Sequence, residues 1–102
     1  MSRSPLSSEG APVYARDGNL AVVHLPERTF PAVALQGDTY HLMVAQAEEV
    51  YTALLAAGAD AEIVADVEDL VARLRAVRAF YERVLRDRGI ARPYARPEDT
   101  EG

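Results

Sequence analysis

The stretch from Ala61 to Arg88 constrains this chain more than any other. Its large apolar residues fall at Ile63, Val67, Leu70, Leu74, Val77, Tyr81 and Val84, in alternating steps of four and three. That spacing predicts one long amphipathic helix with an apolar seam along one side. Asp60 stands where an N-cap oxygen is wanted, and Gly89 where a helix ends. Acids lead the helix (Glu62, Asp66, Glu68, Asp69) and arginines close it, which is the order the macrodipole favours. Asp69–Arg73 and Glu82–Arg86 add i,i+4 pairs. A helix of about 28 residues is roughly 42 Å long at ~1.5 Å per residue. Its far end, around Phe80, Tyr81, Val84 and Leu85, is therefore expected to overhang its own domain, and either to bend back or, as the favoured reading, to be covered by a second copy.

The chain before the helix reads as a small sheet and a shorter helix. Val13 to Arg16 is a short strand, Asp17-Gly18-Asn19 a hairpin turn, and Leu20 to Leu25 a strand that Pro26 ends. A proline-bounded loop, Pro26 to Pro31, leads to a third strand, Ala32 to Gln36. Alternation separates Val23 and Leu25 from Leu20, Val22 and His24, and Val33 and Leu35 from Ala32, Ala34 and Gln36. The bulkier sets, Val23/Leu25 and Val33/Leu35, are expected to face the helices together. Gln36-Gly37-Asp38-Thr39 marks the exit into a helix, with Gly37 left-handed and Asp38 or Thr39 as the cap. That helix runs from about Tyr40 to Ala57 with Met43, Ala47, Val50, Tyr51 and Leu54 on one side, and Gly58 follows it.

The fold expected is α+β: a three-stranded antiparallel meander followed by two antiparallel helices, the second long. Residues 13–91 form the single domain. Residues 1–12, rich in Ser, Pro and Gly, read as a disordered tail. Residues 92–102 read as a loose C-terminal tail from which Tyr94 docks onto the body.

Composition narrows the function classes. The chain has 102 residues and no cysteine, which removes disulfides, thiolate metal sites and thiol nucleophiles. No apolar run is long enough to span a membrane, and the N-terminal stretch lacks the apolar core of a secretion signal. A cytoplasmic protein is the expectation. The net charge of −5 argues against nucleic acid as a partner. The charge is uneven: residues 1–72 hold three arginines against eleven acids, and residues 73–96 hold eight against two.

His24 and His41 are the only imidazoles. Catalysis needs an acid or nucleophile beside one of them, and neither has one at a recognisable spacing. His41 has no carboxylate three or four residues on, so no metal is expected, and no phosphate loop implies a cofactor. A small-ligand site between sheet and helices would draw on Tyr14, His24 and His41. An interface at the far end of the long helix would draw on Arg75, Arg78, Phe80, Tyr81, Val84 and Leu85, since arginine and aromatic residues dominate binding hot spots.

The run DGNLAVVHLPERTFPAVALQGDTYHLMVAQAEEVYTAL, Asp17 to Leu54, resembles the N-terminal domain of HicB-type antitoxins. The matching positions are Gly18, Val22, Val23, Leu25, Pro26, Gln36, Gly37, Asp38, Thr39, Ala45, Ala47 and Glu48. The long second helix departs from that family's strand and short helix. The whole chain is also similar to small uncharacterised bacterial domains that end in a Gly-Ile-x-x-Pro-Tyr-like segment, here Gly89 to Tyr94. Together these readings lead to a non-enzymatic protein-binding module, homodimeric, with a cognate protein partner. It would act as an antitoxin-like or immunity-like inhibitor, or as an accessory subunit of a biosynthetic enzyme.

Overall fold

A computed structural model describes residues 10–96. Three strands, β1 (Val13–Asp17), β2 (Leu20–Val23) and β3 (Ala32–Leu35), form an antiparallel sheet in chain order. Two helices follow, α1 (Gly37–Ala56) and α2 (Ala61–Asp87). The expected disordered tail falls largely on residues 1–9, outside the described residues.

β1 and β2 close through Asp17 paired with Leu20, and Gly18 takes the positive φ of 61° that the first position of this two-residue loop demands. A β-bulge between Val13 and Ala15 leaves Tyr14 unpaired. The β2–β3 register sets Leu20 opposite Leu35 and Val22 opposite Val33. Opposed residues share a face, so Val33 and Leu35 lie with Leu20 and Val22 and not with Val23. The expectation that Val23 and Val33 face the helices together is thus corrected by register. Leu20, Val22 and Val33 remain exposed, Val33 at 70%.

Both helices end as read. The Asp60 carboxylate accepts from the Glu62 amide at 2.8 Å. Gly58 and Gly89 carry the positive φ that terminates each helix. The start of α1 differs: Gln36 is its N-cap residue without a side-chain cap bond, and Gly37 is already helical. Gly37 is needed for space. A Cβ there would run into the Tyr81 ring and hydroxyl. This contact holds the start of α1 against α2, while Asn19, donating to Thr39 Oγ1 at 3.1 Å, ties the β1–β2 turn to α1.

The helices pack antiparallel as a hairpin. Tyr40 donates to the Leu74 carbonyl at 3.0 Å, and Tyr51 reaches Glu68 nearer the connecting turn. From α1 the seam takes Tyr40, Val44, Ala47, Tyr51 and Leu54; from α2 it takes Val64, Val67, Val71, Leu74, Arg78, Tyr81 and Leu85. Among the described residues Val44 and Val71 are the fully enclosed apolar side chains. The predicted seam shares Val67, Leu74 and Tyr81 but is rotated elsewhere: Ile63, Leu70 and Val77 are about half exposed. Met43 and Val50 are likewise out of the seam on α1.

Candidate functional site

Two unlike flanks run along the helix hairpin, one on each side of its seam. On the first, Glu48 accepts from Arg75 Nε at 2.7 Å and lies 3.5 Å from Arg78. Arg78, only 6% exposed, stands in the seam itself and donates to His41 Nδ1 at 3.2 Å. Because Nδ1 accepts, a neutral His41 carries its proton on the other ring nitrogen. The tail then turns back along this flank. The Tyr94 ring stacks on His41 with centroids 3.9 Å apart and planes 3° from parallel. Its hydroxyl donates to Glu82 at 2.8 Å, where Arg96 also donates at 2.7 Å and Arg92 approaches to 3.6 Å. Tyr94 therefore docks, and residues 92–96 are tied to the body. The rest of the expected loose tail lies outside the described residues.

The electrostatics of this flank are those of a satisfied clamp. Burial, followed by the Arg78 and Arg96 charges, holds His41 below the usual imidazole value. The hydrogen bond from Arg75 holds the Glu48 carboxyl low against the opposing effect of burial. At Glu82 burial works upward, but the bonds from Tyr94 and Arg96 and the nearby guanidinium charges prevail and lower it. Burial and the Glu82 bond push the Tyr94 hydroxyl up to about 12. Each group is tuned toward the form that binds its neighbour: neutral for His41 and Tyr94, ionised for Glu48 and Glu82.

The opposite flank is apolar. In an antiparallel pair, the positions just before the seam on each helix share one side. These are Met43 and Val50 from α1, and Ile63, Leu70, Val77 and Val84 from α2, the latter repeating every seven residues. All but Val84 are exposed by about half, and Phe80 extends the patch. Arg83 lies 5.4 Å over the Phe80 ring.

The residues expected at an interface are thereby divided. Phe80 is exposed, Val84 and Leu85 are half-buried, Tyr81 packs on Gly37, Arg75 pairs with Glu48, and Arg78 is enclosed within the hairpin. The end of α2 does not stand free either, because Glu82 holds the returning tail. Sequence reading gave Glu82 to Arg86 and no partner to Glu48; the structure sets Glu82 with Tyr94, Arg92 and Arg96, and Glu48 with Arg75 and Arg78, all distant in sequence. Sequence reading also missed the true seam, which a charged residue, Arg78, interrupts. The signal available was a second heptad, Val64, Val71 and Leu85, beside the first.

Of the three residues read as a ligand site, two meet. The bulge turns Tyr14 onto His24, and its hydroxyl lies 2.9 Å from Nδ1. His24 Nε2 lies 2.6 Å from the Arg28 carbonyl, which can only accept, so Nε2 donates and Tyr14 donates to Nδ1. The pair pins the β2–β3 loop. His41 makes its contacts in the other cluster. A cleft of about 490 Å³ does lie between sheet and α2, lined by Arg16, Asn19, Gln36 and Tyr81 among others, and none of Tyr14, His24 and His41 lines it. Among the described residues no group of three His, Asp or Glu side chains is placed to hold a metal ion. No described helix is long and apolar enough to cross a membrane.

The family match runs over the sheet and both helices, residues 6–94. The chain belongs to DUF6959, a family of unknown function. That match takes in the strands, the hairpin and the returning tail through Tyr94 as one unit. No curated protein and no solved structure matches the chain.

Proposed function

We propose that this DUF6959 chain is a non-catalytic protein-binding module that works as a cytoplasmic homodimer and presents its sheet to a cognate protein. The observation that supports this reading is the apolar flank of Met43, Val50, Ile63, Leu70 and Val77, which the described chain leaves about half exposed. Exposed apolar patches of a few hundred Å² mark interaction sites. The hairpin overlap, ~30 Å long and ~20 Å across two helices, offers about 600 Å² per copy, near the lower bound for a specific dimer.

The resemblance of residues 17–54 to HicB-type antitoxins makes an inhibitor of a second protein one form of the module. An accessory scaffold of a biosynthetic enzyme is the other. The alternative, a small enzyme or ligand-binding protein, has a cleft but only Arg16 as a charged side chain lining it.

Multi-angle light scattering tests the dimer. The unaltered protein is expected at twice 11.1 kDa, and Val77→Glu at the single-chain mass with its far-UV helical signal kept. A single-chain mass for the unaltered protein at tens of micromolar overturns the dimer. Purification from the native host that returns only the homodimer, with no stoichiometric second protein, counts against the binding role.

A further inference from the structure

We infer that the free edge of β3 is a strand-receiving site, and that its occupant is an extended segment of the cognate protein with apolar residues at alternate positions. This deepens the reading above and rests on it for the existence of that partner.

The backbone ladder carries the argument. Gln36 donates its amide to the Asn19 carbonyl, so the residues bonded to β2 are those at even positions, Ala32, Ala34 and Gln36. The amides and carbonyls of Val33 and Leu35 consequently point outward from the sheet, and among the described residues no fourth strand lies on that side. Unpaired ladder groups specify an extended backbone as their complement.

The two edges of this sheet are treated differently. At β1 the bulge at Tyr14 breaks the edge, and Arg16 and Asp17 put charges along it, the devices by which edges are protected from pairing. At β3 the sequence is AVAL, without charge, bulge or internal proline. Around it lies exposed apolar surface: Leu20, Val22 and Val33 on one face, and Phe30, at 78% the most exposed large apolar side chain described. Phe30 sits in the loop that His24 pins through the Arg28 carbonyl. An added strand would lay alternate side chains beside Val33 and Leu35 and meet Phe30 at its end.

A second copy is the other conceivable occupant. The helix flanks already close a two-fold pair, so β3-to-β3 pairing would join dimers to one another and enlarge the assembly. The edge is therefore left for a different chain.

The probe is a synthetic eight-residue peptide alternating valine and threonine with a lysine at each end, added to the full-length protein. Amide hydrogen exchange followed by NMR is expected to show Val33 and Leu35 slowed at least tenfold, with Tyr14 and Arg16 unchanged. Val33→Pro removes an outward donor while sparing the bonds to β2, and is expected to weaken peptide binding at least tenfold with mass and helical signal unaltered. The same peptide N-methylated at alternate residues is expected not to bind. Protection at β1, protection nowhere, or equal binding by Val33→Pro overturns the proposal. So does a peptide-free mass of four chains that Val33→Pro returns to two, because the occupant is then a second copy. The dimer is read by mass in Val77→Glu and the edge by exchange at Val33, so either reading fails without the other.

Discussion

The two flanks of the helix hairpin are built from the same pair of helices and solve opposite problems. On one, every titratable group has a partner from another element: Glu48 from α1 with Arg75 and Arg78, and Glu82 from α2 with Tyr94 and Arg96. On the other, Met43, Val50, Ile63, Leu70 and Val77 are each left about half exposed. A flank of ion pairs completed within the chain needs nothing further. A flank of half-exposed aliphatic side chains gains free energy, at roughly 25 cal/mol per Å² of apolar area removed from water, only when something covers it. The difference locates the surplus along the middle of α2 and not at its end.

The largest test of that contrast sets seam against flank. Val44→Asp places a charge at a fully enclosed position and is expected to cost more than about 4 kcal/mol, enough to abolish the cooperative thermal transition. Leu70→Asp, which lies on the apolar flank, is expected to keep the far-UV helical signal while lowering the mass to one chain. If the two variants unfold alike, the flank is core and the comparison fails.

A smaller effect is expected on the polar flank. Glu82→Gln weakens three contacts at once and is expected to cost about 1–2 kcal/mol, less than their nominal sum because the site is partly wet. Spectrophotometric titration gives the specific readout. The hydroxyl held at about 12 in Tyr94 is expected to return toward the ordinary value of 10.0. A tyrosine that still titrates late in Glu82→Gln would show that burial alone holds it.

The smallest effect is a pH dependence. His41 is lowered in the folded chain by burial first and then by Arg78 and Arg96, with Glu82 and Glu48 opposing. A depressed imidazole stabilises the fold above its unfolded value of 6.5, and that contribution is lost as pH falls below it. Glu48 and Glu82, lowered from 4.5, stay ionised through this window. The melting temperature is expected to fall between pH 6.5 and 5, and to fall less in His41→Asn. Equal slopes would show that burial beside Arg78 and Arg96 does not favour the neutral ring.

Much of the architecture was legible because local rules decided it. The hairpin at Gly18, the cap at Asp60, the stops at Gly58 and Gly89, and the length of α2 each follow from a few neighbouring residues. The strand faces were misread because register couples two segments, and the i+j pairing of Val22 with Val33 is not visible in either alone. The seam was misread by one residue because Val77 is the better apolar choice and Arg78 the true occupant, made tolerable by His41 and Glu48 from another helix. For the same reason the pairings of the polar clamp, beyond the docking of Tyr94, were hidden: its members lie between 10 and 53 residues apart in sequence.

Gly37 bears on how this molecule tolerates change. The Tyr81 ring occupies the place where any other residue would put its first side-chain carbon. The closeness of the start of α1 to the far end of α2 is thus set by an omission the size of a methyl group. Adding that one carbon would drive a wedge between the two helices at the end where the strands enter them.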